Sequence, residues 1–224
     1  MKQTFFITGT NTSVGKTVLT ALLARFFGEA GVNVAALKPI CSGSRDDARA
    51  LRAELKRALS LDEINPWHFR APMAPLLAAR RQRKRIKLAT VLAHVRTVQK
   101  RFAVVLVEGA GGLLSPLGEN FNSRDLLTAL PATPIVVCPN RLGAVNQVLL
   151  TLEALPKHFR QKARVVLMSP PKPDTATGTN AELLAEYFDA KRVFALRWLG
   201  KKFEARRAIR DPAVRRTLRS LLRI

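Results

Sequence analysis

The sequence predicts an α/β fold in which a mostly parallel central sheet is flanked by helices. Three observations carry that expectation. The stretch Gly9-Thr-Asn-Thr-Ser-Val-Gly-Lys-Thr17 joins a short apolar, β-prone run to a segment whose apolar residues recur on one helical face. Several further short apolar runs end in small or polar loops, each followed by a helical pattern, which is the alternation of a parallel sheet. With 224 residues and a hydrophobic fraction of 47%, the chain fits one large domain with a substantial core, or a domain with a tail.

The first strand is expected over Thr4 to Thr8, and Val18, Leu19, Leu22, Leu23, Phe26 and Phe27 mark the buried face of the helix after it. A helix that starts at Gly15-Lys16-Thr17 points its free N–H groups and the positive end of its dipole into the loop, which favours a bound phosphate. Lys16 adds a cation and Thr17 a hydroxyl suited to Mg²⁺. The common phosphate-loop pattern has four residues between the first glycine and Gly-Lys-Thr, whereas Gly9 and Gly15 enclose five, so the inference rests on Gly-Lys-Thr with its strand and helix. The bland alternative is an ordinary helix start with a surface lysine.

Gly31 is the expected C-cap, and Val32 to Lys38 the second buried strand. Pro39 ends regular pairing there, so Lys38 and Ser42 project at the carboxyl end of a strand, where ligands collect in open parallel sheets. Lys38 is either a strand-end surface residue or a second cation facing the phosphates. Asp46 and Asp47 precede a helical run, Ala48 to Leu59, and either one can serve as its N-cap; Asp47 can alternatively help to hold Mg²⁺ through oxygen or water. Leu61 to Pro75 reads as an extended excursion, followed by short helical pieces, a basic run and a helix from Leu88 to Arg101.

Phe102 to Val107 is an apolar strand that ends in Glu108-Gly-Ala-Gly-Gly112. A carboxylate at such a tip is costly to bury alone, and a nearby lysine and Mg²⁺ would offset the cost. A plain turn is the alternative. Helices are expected at Ser123 to Leu130, Ala144 to Leu155 and Thr179 to Phe188, and strands at Thr133 to Cys138, Ala163 to Met168 and Arg192 to Leu196. The N–H groups at the start of the Ala144 helix, after the loop Asn140 to Gly143, are placed to receive a carboxylate. Residues 201–224 form a basic tail whose Phe203, Ile209, Val214, Leu218, Leu221 and Leu222 make an apolar stripe on two short helices separated near Asp211-Pro212. That stripe either docks on the body or meets a membrane or nucleic acid.

No apolar run reaches the roughly 18 residues of a membrane span, and no secretory signal is expected, which makes the cytoplasm the expected compartment. Cys41 follows an expected strand and Cys138 lies inside one, so no structural disulfide is expected in a reducing compartment, and neither has a Cys-x-x-Cys or Cys/His spacing for a metal. The formal charge of +22 concentrates at Arg80 to Arg85, Arg160 to Arg164 and Lys201 to Arg223. With few aromatics interleaved, this is either a solvated basic surface or a nucleic-acid site.

Gly9 to Thr17, Lys38-Pro-Ile-Cys-Ser-Gly43, Val107-Glu-Gly-Ala-Gly-Gly112 and Leu142-Gly-Ala-Val-Asn146 stand in the order and separations of the dethiobiotin synthetases, which the chain resembles over residues 3–200. The resemblance implies a three-layer fold of the P-loop NTPase type over residues 1–200, a homodimer, and ATP-dependent ring closure of 7,8-diaminononanoate with CO₂. It implies that Lys16 and Lys38 are catalytic, Lys16 on the β- and γ-phosphates and Lys38 on the carbamate and transferring phosphoryl group. Thr17, Asp47 and Glu108 would serve Mg²⁺. The nucleotide would contact Thr12, Ser13, Val14, Gly15, Lys16, Thr17 and Val18, then Asp47, then Glu108, Gly109, Ala110 and Gly111, and finally Arg197, Trp198 and Leu199. Ser42 would bind substrate, and Gly143, Ala144, Val145 and Asn146 of the neighbouring subunit would receive its carboxylate.

The chain departs from the family pattern at three places. Ser13 occupies an acidic position, Ser169-Pro170 stands where an Asn-Asp pair would read adenine, and Arg197 replaces a proline. Because proline has no N–H to donate, the base contact must differ, and a relaxed choice among nucleoside triphosphates is expected. The competing reading is a DNA-binding regulatory ATPase of the partition type. Its loop carries Lys-Gly-Gly where this chain has Thr10-Asn-Thr.

Overall fold

The computed structural model describes residues 2–55 and 58–222. The chain runs β1 (Gln3–Gly9), α1 (Lys16–Glu29), β2 (Val34–Leu37), β3 (Ile40–Ser42), α2 (Asp46–Glu54), α3 (Leu61–Ile64), β4 (Trp67–Phe69), α4 (Pro75–Arg81) and α5 (Leu88–Arg101). It continues through β5 (Val104–Glu108), β6 (Pro116–Gly118), β7 (Phe121–Asn122), α6 (Ser123–Ala129), β8 (Thr133–Pro139), α7 (Ala144–Glu153) and α8 (Lys157–Arg160). It closes with β9 (Arg164–Met168), α9 (Thr175–Tyr187), a 3₁₀ turn at Ala190–Arg192, β10 (Val193–Leu196), α10 (Ala205–Ala208) and α11 (Pro212–Leu222).

Six strands form the central sheet in the order β10-β9-β8-β1-β5-β2, and every neighbouring pair is parallel. Crossover helices cover both faces, so the strands are apolar along their whole length rather than alternating. Phe5, Phe6 and Ile7 of β1, Leu106 and Val107 of β5 and Val136 and Val137 of β8 are all fully buried. Ile7 aligns with Glu108 on one side and Ile135 on the other, which brings the ends of β1 and β5 together at the carboxyl edge. This is the mostly parallel, helix-flanked α/β sheet expected from the sequence.

Local chemistry shifts several boundaries. Neither Asp46 nor Asp47 caps α2; Arg45 is the N-cap, the two aspartates form the first turn, and Ser44 Oγ accepts from the Asp46 N–H at 3.0 Å. The helix stops at Glu54, and the expected run to Leu59 crosses residues 56 and 57, which lie outside the described residues. Ala30 rather than Gly31 is the C-cap of α1, and Gly31 follows in the left-handed region at φ 74°. Helix α9 begins at Thr175, not Thr179, because Asp174 and Thr177 form a capping box.

The segment from Leu61 to Pro75 is not merely extended. It holds α3 and then β4, which pairs in parallel with β3, Ile40 opposite Trp67 and Ser42 opposite Phe69. Helices α10 and α11 pack on α1, and α11 also meets β10, with Ala205, Ile209, Val214, Leu218 and Leu221 buried. The buried Arg164 guanidinium donates to the Leu221 carbonyl, and Arg215 pairs with Glu29 of α1 at 3.3 Å. Arg223, the end of the basic stretch, lies outside the described residues. Among the described residues no helix is long and apolar enough to cross a membrane.

Candidate active site

A cleft of about 760 Å³ opens at the carboxyl edge of the sheet. Its floor is the loop between β1 and α1. Gly15, the N-cap of α1, holds φ 100°, a conformation that favours glycine, and a Cβ there would stand 3.0 Å from Met168 Cγ, whose side chain would have to give way. No side chain caps α1, which leaves its first N–H groups available to an anion. Lys16 is buried, and its Nζ donates to the Asn11 carbonyl at 2.8 Å. Burial, and then the charge of Lys38, lower the Lys16 pKa to about 8 despite the opposing pull of Glu108 and Asp47.

The opposite wall carries a compact ion cluster. Lys38 stands one residue past the end of β2, with Nζ 2.6 Å from Glu108 Oε1 and 3.0 Å from Asp47 Oδ2. Burial alone would lower the Lys38 pKa, but the two carboxylates outweigh it and the net direction is upward. Asp47 is held below its usual value: burial would raise it, and the charge and hydrogen bond of Lys38, with help from Thr17, reverse that. Thr17 Oγ1 donates to Glu108 Oε1 at 2.8 Å. Glu108 Oε2 is buried and has no hydrogen-bond partner.

That orphaned oxygen tests the fit of a hard cation. A buried carboxylate oxygen without a donor retains its full desolvation cost, and Mg²⁺ takes carboxylate and hydroxyl oxygens. Glu108, Thr17 and Asp47 present those oxygens on adjoining walls, so the residues fit the ion. Among the described residues no group of three His, Cys, Asp or Glu side chains stands ready for a metal, so water or phosphate oxygens would have to complete the shell.

Thr12, Ser13, Gly15, Lys16, Thr17, Val18, Lys38, Ser42, Asp47, Glu108, Ala110 and Gly111 all line this one cleft. Ser13 adopts φ 58°. Val14 is buried beneath the loop, 2.5 Å from where a Gly9 Cβ would stand, and Gly109 lies over Phe6 and Ser123, so both shape the cleft from behind. Ser42 Oγ donates to the Met73 carbonyl at 2.5 Å. The wall formed by Pro72 to Pro75, with Ser115 and Pro116, was not legible in the sequence. Gly111 at φ 69° makes room for Ser115 Oγ, which accepts from the Gly112 N–H at 2.9 Å. No local pattern marks that serine.

Two predicted groups stand apart from the cleft. Arg197, Trp198 and Leu199 line a separate concavity of about 560 Å³ with the start of the tail, and Arg197 pairs with Asp211 at 2.8 Å. The strand ends connect them to the phosphate loop: Ser169 N–H donates to the Leu196 carbonyl at 2.8 Å, and Met168 lies against Gly15. Gly143, the N-cap of α7 at φ 87°, and Ala144, Val145 and Asn146 also lie off the cleft of their own protomer. Leu142 just before them is 85% exposed.

A family model described as AAA domain matches residues 3–202. The chain is 35% identical over 189 residues to an ATP-dependent dethiobiotin synthetase BioD of Akkermansia muciniphila, covering 84% of this chain and 89% of that one. It is 38% identical over 198 residues to the protein of that name from Anaeromyxobacter dehalogenans, covering 86% and 89%. Among solved structures, pNOB8 ParA bound to nonspecific DNA superposes with a TM-score of 0.58 at 13% identity, over 99% of this chain and 98% of that one. A ParA family ATPase from Chlorobium tepidum gives 0.57 at 11%, over 97% and 96%. At those identities the ParA likeness shows the P-loop ATPase fold alone, and it does not lift the partition-type reading. The synthetase likeness covers most of both chains at 35% identity or more, and the chain belongs to the family of ATP-dependent dethiobiotin synthetases.

Proposed function

We propose that this chain closes the ureido ring of dethiobiotin, using ATP, CO₂ and 7,8-diaminononanoate. One observation carries the assignment of roles: a phosphate loop with an uncompensated lysine, Lys16, faces across one cleft a second buried lysine, Lys38, held by Glu108 and Asp47. Phosphoryl transfer to a carbamate needs positioning and charge neutralisation more than a protein nucleophile, and the cleft supplies both.

One substrate amine adds to CO₂ and releases a proton, giving a carbamate. A carbamate oxygen then attacks the γ-phosphorus of ATP, forming a P–O bond as the bond to ADP breaks. The second amine attacks the carbonyl carbon of this mixed anhydride, the C–O bond to phosphate breaks, and the amine loses a proton to give the cyclic urea. The N–H groups of the α1 start and Lys16 hold the β- and γ-phosphates. Lys38 Nζ sits beside the carbamate and the transferring phosphoryl group, where its charge offsets the anion that builds up. Glu108, Thr17 and Asp47 would hold Mg²⁺, which when bound neutralises phosphate oxygens. Thr12 and Ser42 bind phosphate or substrate, and the exposed start of α7 in a second copy of the chain receives the substrate carboxylate. The homodimer is thus part of the site, and the cytoplasm is its compartment.

The test is incubation of the purified protein with 7,8-diaminononanoate, bicarbonate, Mg²⁺ and ATP, followed by mass spectrometry for dethiobiotin. Product that disappears without nucleotide or in Lys16→Ala is expected. No product with ATP, CTP or GTP from folded protein overturns the assignment, and equal product from all three supports the relaxed base contact.

A further inference from the structure

Asn65 is fully buried, outside the cleft, and every polar atom of its side chain is engaged. Its Nδ2 donates to the Lys38 carbonyl at 2.7 Å and lies 3.4 Å from the Pro39 carbonyl. Its Oδ1 accepts from Arg45 Nε at 3.0 Å and from Cys41 Sγ at 3.3 Å. The backbone of the same segment completes the grip: Lys38 N–H donates to the Ile64 carbonyl at 3.0 Å, and Trp67 N–H to the Pro39 carbonyl at 3.1 Å. Both polar groups of the Lys38 backbone are therefore held by residues 64 and 65.

The second half of the brace is Arg45, the N-cap of α2. Besides Asn65 Oδ1 it reaches the Asn65 carbonyl at 2.7 Å and Asp62 at 2.6 Å. Two residues on from Arg45 stands Asp47, whose carboxylate meets Lys38 Nζ at 3.0 Å. One asparagine thus ties together the two pieces of chain that carry the Lys38–Asp47 contact. Its own placement is fixed. Ser60 and Glu63 form a capping box at the start of α3, and Pro66 disfavours helical backbone at Asn65, which holds φ −139° as the C-cap. The Glu63 carbonyl is bonded to His94 Nε2 at 2.7 Å, which anchors the segment on α5.

We propose that Asn65, with Arg45, is a positioning residue that holds Lys38 Nζ between Glu108 and Asp47. The inference rests on the catalytic role given above to Lys38. Neither Asn65 nor Arg45 bonds to the phosphate loop, so the brace acts through Lys38 and Asp47 and not on the grip of Lys16 and the α1 start on the phosphates. A displacement of Lys38 by an ångström is enough to cost on the order of 10²-fold in rate.

The test compares wild type and Asn65→Ala by kcat, nucleotide affinity and the rate at which Lys38 is acetylated by acetic anhydride, read by peptide mass spectrometry against Lys16. In folded Asn65→Ala, kcat is expected to fall about tenfold or more, with nucleotide affinity in the absence of Mg²⁺ at the wild-type level and Lys38 acetylated several times faster while Lys16 is unchanged. Wild-type kcat and wild-type labelling of Lys38 overturn the proposal. Should Asn65→Ala fail to fold, Arg45→Lys removes the Nε contact while keeping the charge and Asn65; it is expected to show the same two changes in smaller measure, and their absence overturns the proposal. Should wild type make no dethiobiotin, the function fails on that result alone, and Lys38 labelling still decides the brace.

Discussion

Lys16 and Lys38 stand in the same cleft, at 6% and 4% exposure, yet their charges are treated in opposite ways. Burial penalises both. Lys38 receives two carboxylates from the protein and becomes a firmer cation, whereas Lys16 has no ion pair, and its burial and the repulsion of Lys38 outweigh the more distant pull of Glu108 and Asp47, so it drops to about 8. The phosphate-loop half of the cleft therefore stores an unpaired positive charge that an anion would settle. The Lys38 half is already assembled, and its remaining need is a partner for Glu108 Oε2.

The sharpest way to break the comparison is to remove Lys38. Lys38→Ala is expected to lower ring-closing turnover by about 10²- to 10³-fold while nucleotide binding persists, since the charge acts on the developing anion and not on ATP in its ground state. Unchanged turnover would refute the role. The same variant leaves Glu108 buried without its counter-ion, which costs about 3 kcal/mol or more in urea unfolding. Adding Glu108→Gln should recover part of that loss; if the double variant is no more stable than the single one, the pair is not what holds this wall.

Lys16 gives a subtler effect with a defined sign. Its pKa of about 8 in the free protein must rise when phosphates arrive, so nucleotide binding above that pH takes up a proton. At pH 8.5 the uptake approaches roughly three-quarters of a proton, at pH 6.5 it vanishes, and affinity weakens as pH rises through 8. Calorimetry in buffers of differing ionisation enthalpy measures this. Equal uptake at both pH values would mean that Lys16 is not the charge the phosphates meet.

How far the site was legible follows the same division. The phosphate loop announces itself because strand, glycine, lysine and helix are contiguous, and Lys38 and Glu108 are marked by standing at the tips of apolar runs. What holds Lys38 in place was not legible. Three-residue strands such as β3 and β4 are too short to show alternation, and their pairing is set by contacts across some 26 residues of chain, as between Asn65 and Pro39. Asn65 itself reads as a turn residue before a proline. The cap of α2 was missed because an arginine fills it, anchored by its long side chain to Asp62 and Asn65 instead of capping through its own oxygen. Boundaries of α9 were missed through a capping box hidden in a run of threonines. Periodicity reports which face is buried, and these features depend on which distant group a polar side chain finds.

The smallest expected effect separates two buried oxygens that share one description. Ser123 Oγ and Glu108 Oε2 are both buried without a hydrogen-bond partner, but Glu108 lines the cleft and Ser123, behind Gly109, does not. An orphaned hydroxyl away from any ligand contributes only its desolvation cost, so Ser123→Ala should be neutral or stabilising by up to about 1 kcal/mol, with turnover unchanged. Glu108 belongs to the lining of a cleft that a cation can enter, so thermal stability in Mg²⁺ with nucleotide should rise for Ser123→Ala as much as for wild type, and should rise less for Glu108→Gln. A loss of more than about 1 kcal/mol in Ser123→Ala would show that this hydroxyl is satisfied in solution. An equal Mg²⁺ response in Glu108→Gln would remove Glu108 from the ion's shell and leave Thr17 and Asp47 to hold it.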